Sequence, residues 1–77
     1  MLKITLRREG KGWTKARLAR RAEMGPGDVS KIENGRLRPY PGQLRRLARA
    51  LGVPPEHAHE LLETVPARQA GPSGEAA

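Results

Sequence analysis

"VSKIENGRLRPYP", residues 29–41, decides how this chain folds. Val29 and Ile32 stand three apart, as on one face of a helix, with Lys31 and Glu33 beside them. Asn34-Gly35 then stops the helix, because glycine accepts the left-handed backbone that closes one. Arg36 and Arg38 follow before Pro39. Turning the two aliphatic residues inward leaves Ser30 and Lys31 facing outward. Upstream, the stretch completes a helix "PGDVSKIEN" that opens at Pro26. Gly25 serves as its N-cap, and proline suits a first helical position, where its missing N–H is not needed.

Before the "EMGPG" break comes a second short helix. Thr14 is its N-cap. In "KARLARRA", Ala16, Leu18, Ala19 and Ala22 take the apolar side, and Lys15, Arg17, Arg20 and Arg21 the others. Small inward residues let another helix pack close, and Met24 joins the core. The opening "MLKITLRREG" is ambiguous. Leu2, Ile4 and Leu6 alternate with polar residues at strand period. The same stretch also reads as a short helix from Thr5, broken at Gly10-Lys11-Gly12, and that reading is preferred.

Downstream, "GRLRPYPG" reads as a loop. In "QLRRLARALG", Leu44, Leu47, Ala48 and Leu51 fall at i, i+3, i+4 and i+7, the strongest helical pattern in the chain, and Gly52 ends it. "PPEHAHELLETV" is a further helix opened by proline, with Ala58, Leu61, Leu62 and Val65 apolar. Residues 66–77 are mostly Pro, Ala, Gly and Ser, the composition of a flexible tail after a domain at 1–65. The expectation is an all-α bundle of four or five short helices, without a sheet or internal repeat.

Bulk composition narrows the function. Seventy-seven residues make one domain with a small core. There is no cysteine, which excludes disulfides and thiolate metal sites and suits a cytoplasmic protein. No run approaches the roughly 18 apolar residues of a membrane span, and the start has no signal-type apolar region. Charge is lopsided: residues 1–49 carry a net +10, residues 50–77 a net −3. The first two-thirds therefore suits a polyanion.

Two short helices about four residues apart, the second ending in Asn-Gly, form a helix-turn-helix pattern. Leu18, Ala19 and Ala22 on the first would meet Val29 and Ile32 on the second. Together, "GWTKARLARRAEM", "VSKIENGRLRP" and "LRRLARALGV" resemble the Cro/C1-type (xenobiotic-response-element) helix-turn-helix family over about Leu6 to Leu62. The resemblance implies a lambda-repressor-like DNA-binding domain of five helices, with its third helix, Pro26 to Asn34, in the major groove. Groove-facing positions would be Pro26, Gly27, Asp28, Ser30 and Lys31. Lys31 can donate to guanine O6 and N7, Asp28 can accept from a cytosine amino group, and Ser30 can do either. Gly27 would allow close approach while reading little. Phosphate contacts would come from Thr14 and Lys15 at the start of one helix and from Asn34, Arg36 and Arg38 after the other. The family pairs the glutamate at position 33 with a first-helix arginine, here Arg8, as a structural ion pair. Arg8 would also be placed to touch phosphate.

Three residues or stretches depart from the family pattern. Glu23 stands where the family usually has a turn glycine, so either the turn differs in shape or it carries left-handed strain of roughly 1 kcal/mol. Asp28 is negative on a face meant for DNA, and "LKITL" fits the usual first helix poorly.

Plainer roles stand beside these. Asp28 equally suits stabilising its own helix N-terminus. Arg17, Arg20 and Arg21, and likewise Arg45, Arg46 and Arg49, read as solvated faces. Trp13 reads as a core anchor, and Tyr40 as a loop clamp. His57 and His59 are two apart, point to different sides of a helix and lack cysteine partners, so no metal and no cofactor is expected. "GKGWT" lacks the spacing and strand of a phosphate loop.

The leading function is a bacterial or phage transcriptional regulator that binds double-stranded DNA, normally as a homodimer on a two-fold operator. The acidic C-terminal helix is either the dimer surface or a core lid. Alternatives are an antitoxin-type repressor with a protein partner and an adaptor that has lost DNA binding. An enzyme is disfavoured, since one Asp, two serines and two off-register histidines form no nucleophile–base pair.

Overall fold

The computed structural model describes residues 1–65, and the expected tail at 66–77 lies outside them. The described residues form four α-helices and one 3-10 helix: α1 (Lys3–Gly10), α2 (Lys15–Arg21), α3 (Pro26–Glu33), α4 (Pro41–Leu51) and the 3-10 helix Pro55–Leu62. Every element sends apolar groups to one core. Ile4 comes from α1, Leu18 from α2, Val29 and Ile32 from α3, Leu47 from α4 and Leu61 from the 3-10 helix, and none of these is more than 2 % exposed. Ala19, Ala22 and Ala48 fill the gaps, so α2 packs closely on α3 and α4. Ala16, expected inward, is exposed; seven residues make less than two turns, and the packed side is covered by Leu18, Ala19 and Ala22.

All four α-helices end in the same way. At each end one N–H reaches back five residues: Trp13 to Arg8, Met24 to Ala19, Arg36 to Lys31 and Val53 to Ala48, at 2.8–3.2 Å. The residue before each of these donors has a left-handed backbone: Gly12, Glu23, Gly35 and Gly52. This is the Schellman closure, which satisfies carbonyls that a helix end would otherwise orphan. Glu23, with φ 59°, is the non-glycine member. The turn therefore keeps the family's shape and accepts the strain, which is about 1–2 kcal/mol for an L residue. Glu23→Gly is expected to raise unfolding stability by about 0.5–1 kcal/mol, because glycine's greater freedom in the unfolded chain returns part of the gain. Urea unfolding followed by circular dichroism measures this, and a loss of stability would mean that the Glu23 side chain contributes more than its backbone costs.

The N-terminal segment resolves as a helix beginning two residues earlier than expected. Leu2 bridges Thr64 in an isolated antiparallel contact. Lys3 N–H donates to the Glu63 carbonyl (2.9 Å) and Val65 N–H to the Met1 carbonyl (2.8 Å). The alternation Leu2-Ile4-Leu6 thus mixes two environments, an extended pairing at Leu2 and a helix from Lys3.

The last element is also a helix, but wound as 3-10 over its whole length and ending at Leu62 instead of Val65. At three residues per turn, Ala58 and Leu61 lie one above the other, and both are buried against the core while Leu62 is half-buried. On its outer side His57 Nδ1 lies 2.7 Å from Glu60 Oε2. That hydrogen bond, with the nearby positive charge, holds the Glu60 carboxyl below its ordinary value.

Two side chains depart from their expected roles. Arg46 turns inward, and its Nε donates to the Ala22 carbonyl at 2.9 Å, tying α4 to the end of α2. Tyr40 is 72 % exposed and clamps nothing with its ring. Its backbone N–H donates to Gln43 Oε1 (2.9 Å), which starts α4 at Pro41 and shortens the expected loop.

Candidate nucleic-acid interface

α3 is held by its two aliphatic residues. Val29 and Ile32 are 0 % and 1 % exposed, and α2 packs along this helix. The positions between and before them face away. Pro26, Gly27 and Lys31 are exposed, while Asp28 and Ser30 are half-buried. Asp28 leans back over the start of its own helix, its Oδ2 3.8 Å from where a Cβ on Gly25 would stand. A carboxylate there favours the positive end of the helix, so the geometry supports its plainer role. Lys31 stands clear, and its carbonyl accepts N–H groups from Arg36 (2.8 Å) and Leu37 (3.2 Å). The closing turn thereby folds the chain back and sets exposed Arg36 next to the end of the helix.

Glu33 accounts for the geometry of this region. Its side chain is only 3 % exposed. Arg8 Nε donates to Oε2 at 2.8 Å, Arg8 Nη2 to Oε1 at 3.2 Å and Thr5 Oγ1 to Oε1 at 3.0 Å. The remaining face of the guanidinium is used too, since Nη1 donates to the Trp13 carbonyl at 2.7 Å. Two parallel bonds from a planar fork to a carboxylate give a strong, directional pair. One guanidinium thereby joins α1, the end of α3 and the loop that leads into α2. The sequence pattern alone does not mark Thr5 as part of this cluster. Its signal is the i, i+3 spacing to Arg8, which places both on the face of α1 that carries Ile4.

The expected phosphate-contacting residues lie at both ends of the helix-turn-helix. Thr14 caps α2, its Oγ1 accepting from Arg17 N–H at 3.0 Å, which leaves the hydroxyl hydrogen free to donate. Lys15 is half-buried, and Asn34, Arg36 and Arg38 are exposed. The structure brings Asn34 and Arg36 directly after Lys31, and puts Thr14 and Lys15 in the loop and first turn anchored through Trp13 by Arg8. Burying and pairing Glu33 removes its charge from this surface, so the exposed side chains around α3 are predominantly cationic.

Trp13 packs against the core but stays half-buried, with Lys11 Nζ and Arg21 Cζ each 5.2 Å from its ring centroid. Arg21 is therefore a partner of the indole and not merely solvated. His57 is engaged with Glu60. Among the described residues no group of three or more His, Asp or Glu is placed to hold a metal ion, and no helix is long and apolar enough to cross a membrane.

Two short helices packed on each other, with Ala19, Val29 and Ile32 in one core and the second helix exposed along its outer side, define a helix-turn-helix. A family model described as a helix-turn-helix domain matches residues 3–61, and the chain belongs to that family. The match runs from the first residue of α1 nearly to the end of the 3-10 helix and takes in all three motifs that carry the Cro/C1-type resemblance. No curated protein and no solved structure gives a significant match.

Proposed function

We propose that this protein binds double-stranded DNA by sequence, as a bacterial or phage transcriptional regulator in the cytoplasm, with α3 in the major groove and two copies on a two-fold operator. The observation that carries this is the helix whose Val29 and Ile32 are fully buried while Lys31 is exposed between them. In this reading Lys31 and Ser30 reach base edges, with Gly27 admitting close approach. Asp28 serves its helix first and accepts from a cytosine amino group where the groove presents one. Thr14, Lys15, Asn34, Arg36 and Arg38 contact phosphates and set the register without reading sequence. Arg8 and Glu33 hold the parts in place.

The test is selection of bound duplexes from a random pool at low salt. A two-fold consensus is expected, its half-sites about 34–36 Å apart. Lys31→Ala should relax the preference at one base pair per half-site, a loss of discrimination worth about 1–3 kcal/mol. Arg36→Ala should weaken all duplexes alike. If no duplex is bound at low salt, the domain is instead a protein-interaction module.

A further inference from the structure

The proposed contacts with DNA use Lys15, Lys31, Arg36 and Arg38, and Arg8 is held by Glu33. The arginines on the α2–α4 side have no part in them. Arg45 and Arg49 are exposed one turn apart on the outer side of α4, where like charges repel. Arg46 Nε reaches the Ala22 carbonyl at 2.9 Å, which brings exposed Arg20, two residues before Ala22, up to the same junction. We propose that this arginine surface is a second, sequence-independent seat for the phosphate backbone of nucleic acid, so that one domain holds a further duplex segment while α3 occupies the first. The proposal rests on the α3 reading only for that first segment.

Fold stability does not account for these positions. Arg49 is in the last turn of α4, where a cation suits the helix end. Arg45 is in mid-helix, and its head lies back towards the first turn, the end that disfavours a cation. Its Nη2 stands 3.9 Å from where a Cβ on Gly42 would be. Among the described residues no carboxylate comes within 4.0 Å of Arg20, Arg45, Arg46 or Arg49. Glu23 and Glu56, the acids nearest to them in sequence, pair with none of them.

A bound anion relieves the repulsion, and the planar fork of a guanidinium matches a phosphate with two parallel bonds. α2 packs on both α3 and α4, which scarcely touch each other, so the outer sides of α3 and α4 belong to different faces of the domain. A duplex against Lys31 therefore leaves Arg45 and Arg49 uncovered. Beside them is an open hollow floored by Gly52, Val53, Pro54 and Pro55, and no α3 residue lines it. A protein partner needs a buried anchor at the centre of its footprint. Here the centre is guanidinium and the apolar floor lies at one edge, which suits a backbone of repeating charge.

The test tethers the selected consensus duplex to beads, saturates it with the full chain and adds a second, labelled duplex without the consensus at low salt. The wild type is expected to capture the second duplex. Arg45→Gln/Arg49→Gln is expected to bind the consensus as the wild type does, with helical content unchanged, and to capture the second duplex about ten-fold less well. Two phosphate contacts carry a slope of about −1.8 in log affinity on log salt, ample for that loss. A wild type that captures nothing overturns the proposal. So does a double variant that captures as well as the wild type, which would assign the second duplex to α3 of another copy. Polyglutamate is the competing probe. A double variant that loses polyglutamate but keeps the duplex makes the surface a seat for acidic protein and also overturns the proposal. If selection yields no consensus, the α3 reading falls, and anisotropy of one sequence-neutral duplex decides this one. Arg45→Gln/Arg49→Gln should then make its salt slope shallower by about 1.8, and an unchanged slope overturns the proposal.

Discussion

Glu33→Ala is expected to lower unfolding stability by about 3 kcal/mol, the lower end of the range for breaking a buried ion pair by removing one partner. The lower end applies because Arg8 keeps its bond to the Trp13 carbonyl at 2.7 Å and has Glu9 3.7 Å away. The loss is still large, since Thr5 and two guanidinium nitrogens lose their acceptor together. A domain of this size holds only about 5–10 kcal/mol in total. At roughly 4–8 °C per kcal/mol, the melting temperature should fall by about 12–24 °C. The double variant Arg8→Met/Glu33→Leu should recover most of that, because apolar residues of similar volume often replace a buried pair at little cost. Thermal unfolding of the three proteins checks both expectations. A fall of under about 1 kcal/mol for Glu33→Ala would mean the pair behaves like an exposed one.

The second large effect is the response of DNA binding to salt. Three of the proposed phosphate contacts per copy are cations: Lys15, Arg36 and Arg38. Each released counterion contributes about −0.9 to the slope of log affinity on log salt, so one copy should show a slope of about −2.7 and a two-fold pair about −5.4. Raising salt from about 50 to about 200 mM should weaken a single half-site about forty-fold and a full operator by nearly two-thousand-fold. Fluorescence anisotropy with labelled duplexes of each kind measures both slopes. A shallow slope with sequence preference retained would assign the cations to solvent. A slope on the full site equal to that on the half-site would mean a single copy binds.

The elements that could be read from sequence are those whose signal is local. Residues 26–34 and 43–52 announce themselves by period, cap and stop, and both appear as helices with Val29, Ile32, Leu47, Ala48 and Leu51 inward. Elements settled by distant partners could not be read in this way. Leu2 is extended because Thr64 stands opposite it, and the strand-like alternation of Leu2, Ile4 and Leu6 gives no hint that the helix begins at Lys3. Arg46 looks like any outer-face arginine until the end of α2 presents a carbonyl 24 residues away in sequence. The 3-10 winding is hidden because Ala58, Leu61, Leu62 and Val65 fall at i, i+3, i+4 and i+7, an α-helical period, whereas at three residues per turn only Ala58 and Leu61 share the buried face. At the candidate site, the pairing of Arg8 with Glu33 is legible only through the family resemblance. The residues alone do not separate Arg8 from Arg7, since the choice depends on which face of α1 also carries Ile4 and Thr5.

The guanidinium of Arg8 leaves the outer face of α3 little room to adapt. It bonds at once to the foot of α3 and to the backbone ahead of α2, so the part proposed to meet bases and a part proposed to meet phosphates move as one block. A stiff template of this kind pushes the work of fitting onto the duplex. Sequences that narrow or bend easily where α3 and the Thr14 loop meet them should then be preferred even at base pairs no side chain touches.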